Sequence, residues 1–346
     1  MSTLAVPLWI WAVTIAALAL ILGTELVFGI RRGGHPVGMR EAALWTAAVV
    51  ALAVIFGLAL GRLGHPAARG QFFAGWLTEY SLSLDNLLIF VLLIGRSAVP
   101  RELHSRILLL GVALALVLRG IFIAAGASAI SRFGWILYLF GALLIYTAAR
   151  LVFSNRQQED KPPGGLLLRA VRRFVPVSQR GDGARLLTRI SGRRMATPVL
   201  FLIIAIAATD LMFALDSIPA IFGLTREPYL VFTANVFALL GLRQLYFLIG
   251  GLLSRLTYLS AGLAVILGFI GVKLITEALA DSGVPAIGPV PVPHISTGLS
   301  LAIIGGVLVV VTVTSLLAPG RDAGPSRPAD QPCAVSGPPE AQAEGS

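Results

Sequence analysis

Two apolar segments of the chain each contain a pair of acidic residues, and both pairs have the same spacing. Five residues separate the two acids of a pair, and a side chain with a polar oxygen follows the second acid directly. The residues are Glu79, Asp85 and Asn86 in the first segment and Asp210, Asp216 and Ser217 in the second. Carboxylate, amide and hydroxyl oxygens suit hard divalent cations such as Mg²⁺, Ca²⁺ and Mn²⁺. These residues are therefore predicted to form a metal site.

Helical geometry divides the predicted ligands into two groups. On an α-helix, residues seven positions apart nearly coincide around the axis, whereas residues six positions apart differ by about 240°. Glu79 is therefore expected to align with Asn86. Asp210 aligns with Ser217 in the same way, and the second acid of each pair lies to one side. All of them can meet at one cation if the cavity is wide or if a helix is broken, and Pro219 offers such a break because it cannot donate a backbone hydrogen bond.

Further polar residues lie in apolar stretches and are assigned to an ion pathway or to charge compensation. They are Asn235, Arg119, Arg243 and Lys273. An ionisable group at the bilayer centre costs about 2.5–3.5 kcal/mol on insertion scales, so function is the first interpretation of such a residue. The two arginines would hold the acids ionised or replace the cation when the site is empty. Buried ion pairs that lock helices together are the structural alternative.

The composition indicates that a membrane protein positions these residues. Hydrophobic residues make up 56% of the 346 residues and charged residues 13%, which is about half the charged share of a soluble domain. A bilayer core needs about 20 apolar residues per helix. Nine runs qualify, at approximately 7–30, 43–61, 72–95, 106–128, 134–153, 198–222, 229–250, 257–280 and 296–318. The predicted fold class is an all-α polytopic membrane protein with about nine transmembrane helices.

The third to fifth apolar runs resemble the sixth to eighth. Besides the acid pairs, Arg119 in the fourth run matches Arg243 in the seventh, with a leucine before each. Gly141 in the fifth run loosely matches Gly268 in the eighth. Because each unit has an odd number of spans, the two units must have opposite orientations in the membrane. Inverted repeats with a site at their interface are typical of transporters, so we predict a 3+3 inverted-repeat core.

Positive charge is concentrated between the fifth and sixth runs. Residues 154–197 contain ten Lys or Arg and three Asp or Glu. Since cytoplasmic loops carry the excess of Lys and Arg, this segment is placed inside, with the N-terminus outside and the C-terminus in the cytoplasm. The positive-inside distribution of Lys and Arg thereby explains the net charge of +10. Nucleic acid is therefore not expected as a partner. Residues 166–175 fit both an amphipathic helix on anionic lipid and a plain solvated loop.

These assignments divide the chain into consecutive segments. The predicted segments are two N-terminal transmembrane helices (1–71), the first three-helix repeat (72–153), the basic cytoplasmic loop (154–197), the second three-helix repeat (198–280), the last transmembrane helix (281–318) and a disordered cytoplasmic tail (319–346). The tail contains the single cysteine, Cys333. No disulfide framework and no Cys-based zinc or iron–sulfur site is therefore expected.

The residues around both acid pairs resemble the TerC/Alx family of integral membrane proteins. The matching strings are Glu79-Tyr-Ser-Leu-Ser-Leu-Asp85-Asn86, Phe213-Ala-Leu-Asp216-Ser-Ile-Pro219 and Asn235-Val-Phe-Ala-Leu-Leu-Gly-Leu-Arg243. The resemblance extends from about Trp9 to Lys273. It implies a fold similar to the LysE transporter superfamily, links to manganese export, tellurium resistance and alkaline stress, and an ion site at the six ligand positions with Asn235 nearby. Ala207 stands where many members have a further Glu, which changes the expected coordination number.

The sequence therefore favours a transporter that exports a hard divalent cation. Mn²⁺ is the leading cargo, exchange with protons is the expected mechanism, and Ca²⁺ and Mg²⁺ fit the same ligands. No cofactor beyond the transported cation is expected, and the expected partners are the cation and the lipid bilayer. An intramembrane aspartyl protease is disfavoured because the chain has no Gly-x-Gly-Asp string, so no enzyme is predicted. The alternative is a membrane organiser that aids metal loading or assembly of exported or membrane proteins.

Overall fold

The computed structural model describes residues 6–31, 39–62, 66–95, 97, 99–153, 185–190, 193–240, 242, 245–246, 258–283, 286–287, 290–291, 293 and 295–317. Nine helices make up most of this part of the chain. They are α1 (Leu8–Arg31), α2 (Met39–Arg62), α3 (Pro66–Gly95), α4 (Arg101–Arg132), α5 (Ile136–Phe153), α6 (Pro198–Phe222), α7 (Pro228–Leu240), α8 (Leu259–Asp281) and α9 (Thr297–Leu317). Two short antiparallel hairpins complete it, formed by β1 (Leu187–Ile190) with β2 (Arg193–Ala196) and β3 (Ala286–Ile287) with β4 (Val290–Pro291).

Seven of the described helices are long and apolar enough to cross a membrane, namely α2 to α6, α8 and α9. Shorter apolar helical stretches occur at Leu8–Ile21 and Pro228–Leu240. All nine helices fall on the apolar runs predicted from the sequence. An apolar run must be helical in lipid because each backbone polar group then finds its partner within the same segment. The predicted class, an all-α polytopic membrane protein, is therefore confirmed.

The helices of the two predicted repeats pack mainly across the repeats. Helix α3 contacts α7, α4 contacts α6, and α5 contacts α8. The predicted repeat pairs α3 with α6, α4 with α7 and α5 with α8. If the two repeats changed places, the α3–α7 contact would become the α4–α6 contact, and the α5–α8 contact would stay the same. The packing is thus compatible with an inverted repeat, although the repeat itself stays a prediction. Helices α1, α2 and α9 lie at the periphery and expose large apolar side chains, among them Leu8, Ile55 and Val309.

Two glycines bring α5 and α8 into close contact. A Cβ atom added to Gly141 would lie 2.9 Å from the carbonyl oxygen of Gly271, and one added to Gly271 would lie 3.0 Å from that of Gly141. Neither position has room for a side chain at this separation. The glycines therefore let the two backbones touch, which fixes α5 and α8 as a pair.

Helix α6 lies in the core and contributes three of the predicted site residues, Asp210, Asp216 and Ser217. It begins after Thr197, whose hydroxyl accepts a hydrogen bond from the backbone N–H of Leu200. The helix continues through Pro219 to Phe222, so the predicted break at Pro219 is wrong. Proline fixes φ near the helical value and removes only its own hydrogen bond, which a well-packed helix can tolerate near its end.

Candidate functional site

A fully buried arginine lies at the centre of the helix bundle. Arg119 is on α4 and has 0% of its surface exposed. Its guanidinium group binds both carboxylate oxygens of Asp210 on α6, with Nε donating to Oδ2 at 2.6 Å and Nη2 donating to Oδ1 at 3.0 Å. Such a two-point contact is stronger and more directional than a single hydrogen bond between neutral groups. Asp210 thus holds the arginine in one orientation.

Three further oxygens surround the remaining nitrogen of the guanidinium group. Arg119 Nη1 donates to Glu79 Oε1 on α3, and it lies 3.4 Å from Ser217 Oγ on α6 and 3.3 Å from Asn235 Oδ1 on α7. All five side chains are buried. We call Glu79, Arg119, Asp210, Ser217 and Asn235 the Arg119 cluster. It joins four helices through one cation that is enclosed by carboxylate, hydroxyl and amide oxygens.

The charges of the Arg119 cluster do not cancel. One guanidinium group faces two carboxylates, which leaves one negative charge if both acids are ionised. Removing ions from water costs several kcal/mol per ion, and their mutual attraction repays this only when the geometry is good. With both acids ionised, the cluster is thus not the charge-balanced arrangement expected of a purely structural ion pair.

Among the residues that the structure describes, two polar atoms of the Arg119 cluster have no hydrogen-bond partner. Glu79 Oε2 and Asn235 Nδ2 are buried without a hydrogen bond, and Ser83 Oγ lies 3.5 Å from the other carboxylate oxygen of Glu79. Buried polar atoms in native proteins are usually satisfied, so each exception requires an explanation. Glu79 is therefore held through one oxygen only, whereas Asp210 is held through both. Glu79 is the acid with spare capacity to bind something else.

Asp216 lies apart from the Arg119 cluster. It is half-buried, and its Oδ1 accepts a hydrogen bond of 2.9 Å from Thr147 Oγ1 on α5. The helical spacing predicted this separation, because a residue six positions after Asp210 points to another side of α6. Sequence reasoning missed Thr147, because α5 also contains the hydroxyl groups of Tyr138 and Tyr146 and the charged Arg150, so Thr147 does not stand out in its sequence.

Lys273 lies in a second charged group, which links the ends of α6 and α8. Its Nζ atom donates to the carbonyl oxygen of Gly223 at 2.5 Å and to Glu277 Oε1 at 2.6 Å. Arg226 Nη1 pairs with Asp281 Oδ2 at 2.6 Å and Nη2 lies 3.9 Å from Glu277 Oε2. We call Gly223, Arg226, Lys273, Glu277 and Asp281 the Lys273 cluster. A cation at the C-terminal end of α6 also interacts favourably with the helix dipole.

The other predicted site residues are placed as follows. Asn86 is buried on α3 and is not a hydrogen-bond partner of Arg119. The side chain of Asp85 and the whole of Arg243 lie outside the described residues. Within the part of the chain that the structure describes, no three or more His, Cys, Asp or Glu side chains form a metal-binding group. Of the predicted ligands whose side chains the structure describes, Glu79, Asp210 and Ser217 are gathered around Arg119, whereas Asn86 and Asp216 are not among its hydrogen-bond partners.

The fold and the Arg119 cluster define a polytopic α-helical membrane protein with a charged site inside its helix bundle. The family model described as "Integral membrane protein TerC family" matches residues 65–323. This match covers the helices α3 to α9 and therefore every residue of both clusters. The chain belongs to the TerC family.

Several curated relatives are similar over most of their length. "Uncharacterized membrane protein Rv2723" of Mycobacterium tuberculosis (strain ATCC 25618 / H37Rv) is 44% identical over 88% of this chain and 78% of the relative. "Uncharacterized membrane protein STKORF319" of Myxococcus xanthus is 39% identical over 90% and 93%. "Putative membrane-bound redox modulator Alx" of Escherichia coli (strain K12) is 36% identical over 90% and 95%. No solved structure matches the chain.

Proposed function

We propose that the chain exports a hard divalent cation, with Mn²⁺ as the leading cargo, in exchange for protons. The observation that carries this proposal is the enclosure of Arg119. A cation buried in the middle of a membrane-spanning helix is surrounded by oxygens from three other helices. The same donor types bind Mn²⁺, Mg²⁺ and Ca²⁺ in proteins.

Charge arithmetic supports a role for Arg119 as an internal substitute for the cargo. The two carboxylates of the Arg119 cluster carry two negative charges, which a divalent cation would neutralise fully and the guanidinium group neutralises by half. When the cation enters, the carboxylates release Arg119. When the cation leaves, the arginine returns and prevents the two buried acids from facing each other unpaired. Glu79 offers the first contact, since its Oε2 has no hydrogen-bond partner in the described part of the chain.

The choice of Mn²⁺ rests on the family and not on the geometry. The resemblance of the acid motifs links the chain to manganese export and to resistance against tellurium and alkaline stress. The name of the E. coli relative speaks of redox modulation. This chain has one cysteine, Cys333, so it cannot form a dithiol centre by itself. Export of a redox-active cation would change the redox state of a cell without any thiol chemistry in the transporter.

We also propose an orientation of the chain in the membrane. Residues 154–197 face the cytoplasm, the N-terminus lies outside and the C-terminus lies inside. The support is the distribution of Lys and Arg, since only Arg62, Arg69, Arg132 and Arg226 fall on the opposite side. The end of α6 at Gly223 and the Lys273 cluster then lie at the outer surface.

The proposal is tested by Mn²⁺ flux into proteoliposomes that contain a Mn²⁺-sensitive dye. Asp210→Asn keeps the shape of the side chain and removes its charge, so flux should fall at least about tenfold, as expected when a buried charge pair is broken. Asp281→Asn is the matched control because it makes the same substitution in the half-exposed Lys273 cluster. Its flux should stay at the wild-type level.

Asp216→Asn completes the set, because Asp216 contacts Thr147 and lies outside the Arg119 cluster. A loss of flux in this variant places Asp216 on the ion path at another step of the cycle. Wild-type protein without Mn²⁺ flux, or equal flux in wild type and Asp210→Asn, would refute the proposal. If the wild-type protein shows no Mn²⁺ flux although cells that carry it grow in a metal-dependent way, the membrane organiser would be favoured.

A further inference from the structure

One nitrogen of Arg119 is surrounded by more oxygens than it has hydrogens to donate. Nη1 carries two N–H groups, yet Glu79 Oε1, Ser217 Oγ and Asn235 Oδ1 all lie around it. The oxygens of Ser217 and Asn235 are 3.4 and 3.3 Å from Nη1. Both distances exceed the usual range of an N–H···O bond, which is about 2.7–3.2 Å. Arg119 therefore makes only weak use of these two neutral oxygens.

Support of Arg119 alone does not explain why these two side chains are enclosed. Ser217 is 1% exposed and Asn235 is 0% exposed, so bulk solvent does not compensate for their long bonds to Arg119. A buried polar group costs free energy unless it is well hydrogen-bonded. The cost is larger for Asn235, because its Nδ2 has no hydrogen-bond partner among the described residues. Both oxygens are better suited to a ligand that takes the place of the guanidinium group.

A divalent cation at the position of the guanidinium group would use all the surrounding oxygens. The carboxylates of Glu79 and Asp210 balance its two charges, so every further ligand must be neutral. Ser217 and Asn235 supply neutral oxygens from α6 and α7. With both oxygens of Asp210 and one or both of Glu79, the ion would meet five or six protein oxygens. Such a set replaces the hydration shell of the ion.

Hard cations differ in how readily they give up their water. Mg²⁺ is small, loses its hydration shell reluctantly and usually keeps several water molecules when a protein binds it. Mn²⁺ is larger and gives up its water more readily, so protein oxygens can take over its coordination. A buried site that is lined with protein oxygens is therefore expected to favour Mn²⁺ over Mg²⁺.

We propose that Ser217 and Asn235 determine the specificity of the Arg119 cluster for cations that shed their water. Their oxygens replace hydration water around the cargo, and Mg²⁺ is disfavoured because it keeps that water. The inference rests on the proposed function for the position of the cargo and adds the residues that select it. Without these oxygens, water completes the shell of either ion and the preference for Mn²⁺ is lost.

The test follows the thermal unfolding midpoint of the full chain in detergent with increasing MnCl₂ or MgCl₂, which gives an apparent affinity for each ion. Wild-type protein should bind Mn²⁺ at least about tenfold more tightly than Mg²⁺. Ser217→Ala and Asn235→Ala should each weaken Mn²⁺ binding about tenfold and Mg²⁺ binding much less, so the ratio of affinities approaches one. Ser300→Ala is the matched control, because Ser300 is equally buried but lies on α9. This control should keep the wild-type ratio.

A purely structural role of the two residues predicts a different result. If they only hold Arg119 in place, both variants should lower the metal-free midpoint and keep the wild-type ratio of affinities, which would overturn the inference. Equal affinity of the wild type for the two ions, or binding of neither ion, would overturn it as well. Export is tested separately by Mn²⁺ flux into proteoliposomes. Absent flux together with a preference for Mn²⁺ that both variants lose would refute export and support the two specificity residues.

Discussion

The Arg119 cluster and the Lys273 cluster both centre on a buried basic residue, yet they are built differently. The partners of Arg119 lie on three other helices and are 40 to 116 residues away in sequence. The acidic partner of Lys273 lies on its own helix four residues further on, and its second partner is a backbone carbonyl. The first arrangement needs the whole bundle to be assembled. The second needs only α8 and the end of α6.

Exposure to solvent differs as well. In the Lys273 cluster, the side chain of Asp281 is 50% exposed and that of Arg226 is 32% exposed. The two acids of the Arg119 cluster are exposed by at most 3%. Water screens the outer pairs and makes each of them weak. Both basic residues lie in apolar helices, but their surroundings differ. Lys273 binds the carbonyl oxygen of Gly223 at the end of α6, whereas Arg119 is enclosed by side-chain oxygens from three other helices.

The largest effect is expected for Arg119→Gln, which leaves the two carboxylates without their cation. Removal of one partner from a buried charge network costs about 3–5 kcal/mol, so the thermal unfolding midpoint should fall sharply without metal. If Arg119 substitutes for the cargo, Mn²⁺ should raise the midpoint of the variant more than that of the wild type, because a bound ligand stabilises the folded state. Equal shifts in both proteins would make Arg119 a structural residue.

A smaller difference separates the two acids that bind Arg119. Asp210→Asn should cost about 3 kcal/mol, since the amide turns an N–H group toward the guanidinium donors and weakens a two-point contact. Glu79→Gln should cost about half as much, because its amide nitrogen can occupy the position of the unpartnered Oε2 while Oε1 still accepts. Thermal unfolding midpoints of the two variants in the same detergent show which substitution destabilises the protein more. The reverse order would contradict the assignment of Asp210 as the tether.

The smallest effects are expected in the Lys273 cluster. Lys273→Met preserves the length of the side chain and removes its bonds to Gly223 and Glu277, which should cost about 1–2 kcal/mol. The response to Mn²⁺ should stay at the wild-type level. Asp281→Asn, at the exposed edge, should change stability by about 0–1 kcal/mol. A Mn²⁺ response that disappears in Lys273→Met would place Lys273 on the ion path and erase the contrast between the clusters.

Much of the fold followed from hydropathy. The predicted run 198–222 coincides with α6 (Pro198–Phe222), and the run 134–153 differs from α5 (Ile136–Phe153) by two residues at its start. The spacing of Asp210, Asp216 and Ser217 also predicted which of them share a helix face. These features are local, since a run of apolar residues and the helical repeat decide them without reference to other segments.

The hairpin before α6 was not predicted. The sequence of residues 187–196 is short, basic and only partly apolar, so it gave no period that would distinguish two strands from a loop. Its structure depends on the hydrogen bonds between Thr197 and Leu186, which close the hairpin against the start of α6. Residues 166–175, for which the sequence left an amphipathic helix and a solvated loop open, lie outside the described residues.

The sequence by itself determined that this protein is a bundle of membrane helices and that Glu79, Arg119, Asp210 and Lys273 lie within them. Hydropathy fixes both statements, because the bilayer accepts only helices of sufficient length and makes every buried charge expensive. Only the tertiary structure decided which oxygens surround Arg119, why Asp216 bonds to Thr147 instead, and why Lys273 closes the end of α6. Those contacts join helices that are distant in sequence, and their selection depends on how side chains pack across helix faces, which no local pattern records.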